Sequence, residues 1–146
     1  MKKPFDDQMP TEIRLSARQE NIPDLIDFVV SHALDMTFQE PRVGQIRLAL
    51  EEALGNIVRF ACPTGNEEIC ISCAAHEMGA LLVDIVDTGE PFNMLVVSTF
   101  PETAGDFSDS DSPPSTKAMK RYIKNIEYRR DGANRANILA WVIWPK

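Results

Sequence analysis

The sequence predicts an α+β fold: a two-layer sandwich in which helices cover one face of a mixed, mostly antiparallel sheet. Two amphipathic helical patterns follow one another directly, and strand-like segments come in pairs around turns. A long stretch without periodicity separates these elements from a final helix and strand pair. The predicted order is β-α-α-β-β-loop-α-β-β. Helices and strands that are grouped rather than alternating are typical of such a sandwich.

The first predicted elements are a short strand and a helix. Residues 1–10 carry no pattern and predict a loose N-terminal arm. Residues 11–17 alternate apolar and polar side chains, as a half-buried strand does. A helix is then expected from Asn21, because Asn is a favoured cap and Pro23 is tolerated in the first turn. Its apolar residues recur at helical spacing as far as Met36.

A second helix is predicted from about Pro41. Its apolar stripe consists of Val43, Ile46, Leu50, Ala53, Ile57 and Ala61. The segment 62–66 contains a proline and a glycine and should end the helix.

The rest of the chain predicts four strands, one loop and one helix. The predictions are strands at 68–74 and 80–86 with a turn at 77–79, a long loop at about 94–114, a helix at 115–124, and strands at 126–130 and 136–143. Asp131-Gly132 between the last two strands is a strong hairpin signal.

Composition limits the classes of protein that the chain can belong to. Its 146 residues, of which 44% are hydrophobic, fit a single domain at 11–146. The net charge of −7 and the lack of a Lys/Arg stripe argue against direct nucleic-acid binding. The three cysteines, an odd and small number, argue against a disulfide framework. We find no secretory signal and no apolar run of membrane-spanning length, so we expect a cytoplasmic protein without membrane contact.

Two polar residues on the second helix are candidates for chemistry. Glu52 and Asn56 lie one turn apart, on a flank of the apolar stripe. An Asn oxygen suits Mg²⁺, which prefers hard oxygen ligands, and a Glu can orient or deprotonate a hydroxyl. The alternative is an ordinary solvated helix flank.

A second candidate lies where the apolar strand 80–86 ends. Asp87 is placed to accept hydrogen bonds from a ligand's amino group, and Gly89 permits close backbone approach. The alternative is a simple Asp-x-Gly turn.

Together these segments resemble a known family. Glu52-Ala-x-x-Asn56 resembles the Asn-bearing helix of the histidine-kinase-like ATPase fold, and Asp87-x-Gly89-x-Pro-Phe-Asn resembles its adenine-binding box. The Pro-Phe pair and the segment 122–132 are typical of the bacterial anti-sigma-factor serine/threonine kinases. The resemblance covers residues 11–144 in the right order.

The resemblance implies a role for each candidate residue. Asn56 would hold the Mg²⁺ that bridges the ATP phosphates, and Glu52 would be the catalytic base that activates a serine or threonine hydroxyl. Asp87 would accept a hydrogen bond from the adenine amino group, and Gly89 would let the backbone pass close to the base. The implied partners are an anti-anti-sigma protein, which is phosphorylated, and a sigma factor. A homodimer is also implied, although nothing in the residues shows it independently.

The expected nucleotide lid departs from the family. A Gly-x-Gly-Leu element normally precedes the last helix, but the equivalent positions here are about Pro113 and Ser115. Prolines remove N–H donors, and the nearby Asp109 and Asp111 add negative charge, so both changes disfavour ATP. Ser115 and Thr116 can still cap the helix and offer hydroxyls to the nucleotide.

A further departure from the family lies four residues after Asn56, where Phe60 replaces the usual histidine.

Three functions therefore stay open. The leading one is an ATP-dependent anti-sigma-type serine/threonine kinase. The second is a non-catalytic partner-switching module on the same fold. The third is a histidine-kinase catalytic domain from a larger protein. It is ranked last, because no dimerising helical pair precedes the domain.

Other residues are given structural roles. Cys70 and Cys73 are three apart in a strand and should face opposite sides of it, which disfavours a chelate. His32 is expected to be exposed or to cap its helix. Trp141 and Trp144 should also face opposite sides, one in the core and one available as a contact surface.

Overall fold

The computed structural model describes residues 11–96 and 115–146. The strands are β1 (Glu12–Ser16), β2 (Glu68–Ala75), β3 (Leu81–Asp87), β4 (Asn125–Asp131) and β5 (Ala136–Ile143), and the helices are α1 (Ile22–Asp35), α2 (Glu40–Asn56) and α3 (Lys117–Tyr122). A 3₁₀ turn precedes α1 and a π-type segment continues α2. The predicted arm at 1–10, and all of the predicted loop beyond residue 96, lie outside the described residues.

The strands form one five-stranded sheet in the order β1-β2-β3-β5-β4. All four pairs are antiparallel. The register places Ile71, Ile85 and Leu139 side by side on the face that the helices cover. This arrangement confirms the predicted α+β sandwich, and within the described ranges no parallel pair accompanies the antiparallel ones.

The core lies between this sheet face and the two long helices. Leu25 and Val29 of α1, Ile46 and Leu50 of α2, and Trp141 of β5 are all buried. Each such side chain contributes roughly 1.5–3 kcal/mol by leaving water. Of the helices in the described ranges, none combines the length and apolarity needed to cross a membrane.

Two predictions about α1 need correction. Asn21 is the N-cap residue as predicted, but its side chain makes no capping bond; its Nδ2 donates to Ser16 O and Oγ, both at 2.9 Å, and so fastens the helix start to β1. His32 is only 1% exposed, with its ring 4.9 Å from that of Phe28. Since His32 follows Val29 by three positions, it lies on the same buried arc of the helix.

The end of α2 has an irregular geometry. The helix continues to Ala61 as predicted, but its last five residues, Ile57–Ala61, form a π-type turn. The Cys62 N–H donates to Ile57 O at 2.9 Å, which is the five-residue spacing of such a turn. The irregular turn directly follows Asn56, the candidate metal ligand.

The predicted hairpin at Asp131-Gly132 forms between β4 and β5. Its loop spans residues 132–135, and the positive φ of 52° belongs to Arg135 rather than to the glycine. In the β2–β3 turn, by contrast, Gly79 has a φ of 100° and occupies the glycine-favoured region. Both turns keep the register that aligns the buried face of the sheet.

Candidate functional site

Asp87 is the last residue of β3 and lies on the buried face of the sheet. The residue is 2% exposed. Its Oδ1 accepts hydrogen bonds from Gly89 N–H and from Asn137 Nδ2, both at 2.9 Å, and a weaker one from Cys62 Sγ at 3.8 Å. Within the described ranges Oδ2 has no hydrogen-bond partner. One carboxylate oxygen is therefore fixed by the protein while the other remains free to accept a bond.

Burial dominates the electrostatics of this carboxyl group. It raises the pKa of Asp87 above its ordinary value, because desolvation disfavours the charged form. The hydrogen bonds from Asn137 and Gly89 oppose the rise by stabilising the carboxylate. Burial of Cys62, together with the nearby negative charge of Asp87, raises the pKa of the Cys62 thiol.

Asn137 organises the polar groups around Asp87. It stands opposite Asp87 in the β3–β5 register and is 3% exposed. Its Oδ1 accepts from Tyr128 Oη at 2.6 Å and from Phe92 N–H at 3.1 Å, and its Nδ2 also donates to Glu90 O at 2.7 Å. These bonds fix the turn after β3 against the last two strands.

Arg130 completes the network from β4. Its Nη1 donates to Gly89 O at 2.9 Å and to Asn137 Oδ1 at 3.3 Å. The sequence patterns did not single out Arg130, Tyr128 or Asn137 as site residues. One feature of the sequence could have pointed to Asn137. This polar residue is one of the alternate residues of β5 that face the core, in a series that continues with Leu139 and Trp141.

Gly89 is required by packing against the end of α2. A Cβ built on it would lie 2.2 Å from Ala61 O and 2.8 Å from Cys62 Sγ. The next residue, Glu90, donates its N–H to the same Ala61 carbonyl at 2.9 Å. The observed reason for a glycine is thus close contact with the helix end, and its predicted role beside a bound base stays a prediction.

Phe60 also contacts the turn after β3. Its ring lies 5.9 Å from that of Phe92, and the Arg59 guanidinium lies 4.7 Å from the Phe60 ring centroid. The side chain at the position where the resemblance implies a histidine therefore packs the end of α2 onto the turn after β3.

Asn56 lies where three segments of the chain meet. The residue is 4% exposed, so the alternative of a solvated flank does not apply to it. Its Nδ2 donates to Ser115 O at 2.9 Å and lies 3.9 Å from Met94 Sδ. Among the described residues Oδ1 has no partner. Because Oδ1 is a hard oxygen ligand of the kind that Mg²⁺ prefers, the residue fits the implied metal.

Glu52 is half-buried one turn earlier on α2. Its Oε1 accepts a hydrogen bond from Met119 N–H at 2.8 Å. Met119 is the third residue of α3, and an N–H in a helix's first turn has no partner inside its own helix. Glu52 therefore caps α3 from a neighbouring helix, and its negative charge suits that helix end.

Ser115 and Thr116 precede α3 and behave differently. Ser115 Oγ accepts from Lys117 N–H at 3.2 Å, so the predicted capping role is confirmed for Ser115. Thr116 makes no side-chain capping bond, and that part of the prediction is wrong. Pro113, the other position expected for a lid glycine, lies outside the described residues.

The predicted site residues thus gather along the C-terminal half of α2. The turn after β3 contacts Ala61, and the start of α3 contacts Asn56 and Glu52. Segments distant in sequence therefore meet along this part of the helix.

Comparisons with known proteins bear on the family and the fold of the chain. The sequence matches the profile of the histidine kinase-like ATPase domain over residues 15–138. The fold is similar to "The crystal structure of the RsbU and RsbW domains of Rv1364c from Mycobacterium tuberculosis", with a TM-score of 0.61 and 10% identity. The alignment covers 93% of this chain and 33% of that one, so this chain spans about a third of its length. No curated protein gives a significant match. At this identity the structural likeness shows the fold alone.

Proposed function

Because the chain belongs to the histidine kinase-like ATPase domain family, we propose that it binds Mg-ATP and regulates transcription as an anti-sigma-type serine/threonine kinase. The proposed unit is a single domain at 11–146. Its proposed partners are an anti-anti-sigma protein, a sigma factor and a second copy of the chain. The proposed assignment to this branch of the family rests on Pro91-Phe92 after Gly89 and on the segment 122–132.

The observation that carries the proposal is the state of Asp87. Its Oδ1 is held by Gly89 and Asn137, while Oδ2 has no partner among the described residues. A fixed carboxylate with one free oxygen can accept a hydrogen bond from the exocyclic amino group of adenine. Guanine has a carbonyl at that position and would be repelled, so the geometry favours ATP over GTP.

Asn56 and Glu52 supply the groups that phosphate chemistry needs. Asn56 is oriented by its bond to Ser115 O, which leaves Oδ1 for Mg²⁺. The ion, when bound, offsets the negative charge of the phosphates. Glu52 would accept the proton of the attacking hydroxyl, and its Oε2 has no hydrogen-bond partner in the described part of the chain.

A second candidate function is a partner-switching module that binds without catalysing transfer. It is favoured by the contact between Glu52 and the Met119 N–H, because a carboxylate that caps α3 is less available as a base. Pro113 and Pro114, which stand near the expected lid glycines, also favour this function.

Calorimetric titration with Mg-ATP and Mg-GTP tests the binding half of the proposal. We expect ATP to bind about ten- to a hundredfold tighter than GTP, since one hydrogen bond to a charged group contributes about 1.5–3 kcal/mol. The Asp87→Asn variant should lose most of this preference. Equal affinity for the two nucleotides in the wild-type protein would contradict adenine recognition by Asp87.

Phosphate transfer from radiolabelled ATP to a purified anti-anti-sigma protein separates the two functions. Glu52→Gln should retain ATP binding and lose transfer, whereas Glu51→Gln on the exposed side of α2 should change neither. If the wild-type protein binds ATP but transfers nothing, the module without catalysis is the correct function.

A further inference from the structure

A basic cleft lies at the end of α2 that is remote from Asn56. It has a volume of about 420 Å³ between the start of α2, the end of α3 and the end of β5. Arg42 and Asn56 are 14 positions apart on the helix, so at 1.5 Å per residue about 21 Å separates the two regions. The cleft is therefore distinct from the candidate nucleotide site.

Among the residues that the structure describes, four cationic side chains line this cleft: Arg42, Arg121, Lys124 and Lys146. None of the described lining residues is an aspartate or a glutamate. The whole chain carries a net charge of −7, so the cleft is opposite in sign to the molecule that contains it. A local positive charge on an acidic protein marks a place that attracts anions.

Arg42 is held in place within the cleft by three hydrogen bonds. It is 9% exposed, its Nε donates to Trp144 O at 2.8 Å, and its Nη1 donates to Tyr122 O at 2.8 Å and Gln45 Oε1 at 2.9 Å. All three acceptors are neutral, and in the described ranges Nη2 has no partner. A buried charge without a counter-ion is costly, so a carboxylate placed here would be bound favourably.

Apolar and aromatic groups form the rest of the lining. Tyr122 lies beneath the Arg121 guanidinium at 5.6 Å, and Val142 provides an aliphatic surface. Trp144 is 40% exposed and is held in place by a hydrogen bond from Nε1 to Asn125 Oδ1 at 3.2 Å. Exposed Trp and Arg are the residue types enriched where proteins bind one another.

We propose that this cleft binds a short acidic segment of a partner protein. One carboxylate of the segment would lie on Arg42, a second between Arg121 and Lys124, and an apolar side chain against Trp144. A nucleic acid is a poorer fit, because its extended phosphate backbone would continue from the cleft onto the acidic remainder of the surface.

The test is fluorescence anisotropy with a labelled peptide in which glutamates flank a central leucine, at low ionic strength. The expected result is saturable binding that the same peptide with glutamine in place of glutamate does not show. Binding should not require ATP, so the proposal stands or fails independently of the nucleotide site.

Matched double variants identify where the peptide binds. Arg121→Gln with Lys124→Gln removes two exposed cations from the cleft, and we expect about tenfold weaker binding. Lys117→Gln with Arg129→Gln removes two exposed cations elsewhere, and we expect less than about a twofold change. Trp144→Ala should also weaken binding, because it removes the apolar contact without changing the charge.

Several results would overturn the proposal. One is a lack of saturable binding at protein concentrations up to about 0.5 mM. Another is equal weakening by both double variants, which would reveal attraction by overall charge. Full displacement of the peptide by about 1 mM inorganic phosphate would make the cleft a small-anion site. Tighter binding of a short DNA duplex than of the peptide would make nucleic acid the occupant.

Discussion

Gly89 shows how strongly a single residue can be constrained by its surroundings. Its missing Cβ leaves room for the Ala61 carbonyl, which then accepts the N–H of Glu90. An Asp-x-Gly turn after a strand is common in proteins, so the sequence predicts the turn without predicting what the glycine touches. The contact explains why the turn after β3 has a fixed position beside Asp87.

The Gly89→Ala substitution should destabilise the protein. The added methyl would meet backbone at 2.2 Å, so either the turn or the helix end must move, at a cost of about 1–3 kcal/mol. Gly44→Ala is the control, since no described residue beyond its own helical turns lies within 4 Å of its Cβ position in α2; it should stabilise by about 0.5–1 kcal/mol. Urea unfolding measures both, and an unaffected Gly89→Ala protein would refute the contact.

Asp87 should make stability depend on pH in a definite direction. Burial raises its folded pKa above the ordinary 3.8, so the folded protein holds the proton more tightly than the unfolded chain. Stability contributed by Asp87 therefore falls as pH rises from about 3.8 through the raised folded pKa. The unfolding free energy of wild type minus that of Asp87→Asn should decrease across this window. A difference that rises with pH would contradict the burial of the carboxyl group.

The residues around Asp87 mark the limit of what the sequence predicts at this scale. Glu52, Asn56, Asp87 and Gly89 could be proposed because they occur in short segments with recognisable spacing. Asn137 could not be paired with Asp87, because their proximity depends on a β3–β5 register between segments 50 positions apart. Local patterns carry no information on which distant strand lies alongside.

At the scale of elements, α3 depends on other parts of the chain. Its six residues are too few to be stable alone, and two of its first N–H groups are satisfied by Ser115 Oγ and Glu52 Oε1. The sequence predicted a helix at 115–124, and the structure shortens it to Lys117–Tyr122. The position of α3 against α2 is what brings Ser115 to Asn56.

Removing the Glu52 carboxylate should loosen α3. In Glu52→Ala the Met119 N–H loses a charged acceptor, and amide exchange of α3 should become about ten- to a hundredfold faster. Glu51→Ala is the matched control, since that neighbour is exposed and should leave exchange unchanged. Hydrogen–deuterium exchange with mass spectrometry resolves this segment. Unchanged protection in Glu52→Ala would show that α3 does not rely on this contact.

Arg42 connects three elements through backbone carbonyls. It joins the start of α2 to the end of α3 and to the residue after β5. Arg42→Lys cannot keep this forked geometry and should cost about 1–3 kcal/mol in unfolding free energy. Arg47→Lys on the same helix should change stability by less than about 0.5 kcal/mol, because its ion pair with Asp27 is exposed. Equal losses in the two variants would argue against the connecting role.

The irregular end of α2 is an element-scale feature that the sequence did not predict. The pattern of apolar residues runs without interruption from Val43 to Ala61, as in a regular helix. The π-type turn accompanies tertiary contacts, because Ala61 O accepts from Glu90 and the Phe60 ring packs on Phe92. Helical periodicity reports which side of a helix is buried, and it does not report such local adjustments.

At the scale of the whole molecule, the order and grouping of elements were enough to predict the architecture. Burial alternates along β3 and, from Asn137 onward, along β5. Together with the wide apolar arc of α1, this alternation leaves one helix-covered face for the sheet. What the alternation does not supply is the strand order, in which β5 lies between β3 and β4. That order brings Asn137 beside Asp87 and so builds the candidate site.

Thermal unfolding with and without Mg-ATP tests the central claim, that this ATPase-family chain holds adenine at Asp87. At a hundred times its dissociation constant a ligand adds about 2.7 kcal/mol, which for this size means a Tm rise of roughly 5–10 °C. Wild type and Asp84→Asn, a charge-matched change on the exposed face of β3, should both show the rise, and Asp87→Asn should not. No rise in wild type at millimolar Mg-ATP, or an equal rise in Asp87→Asn, would contradict the claim.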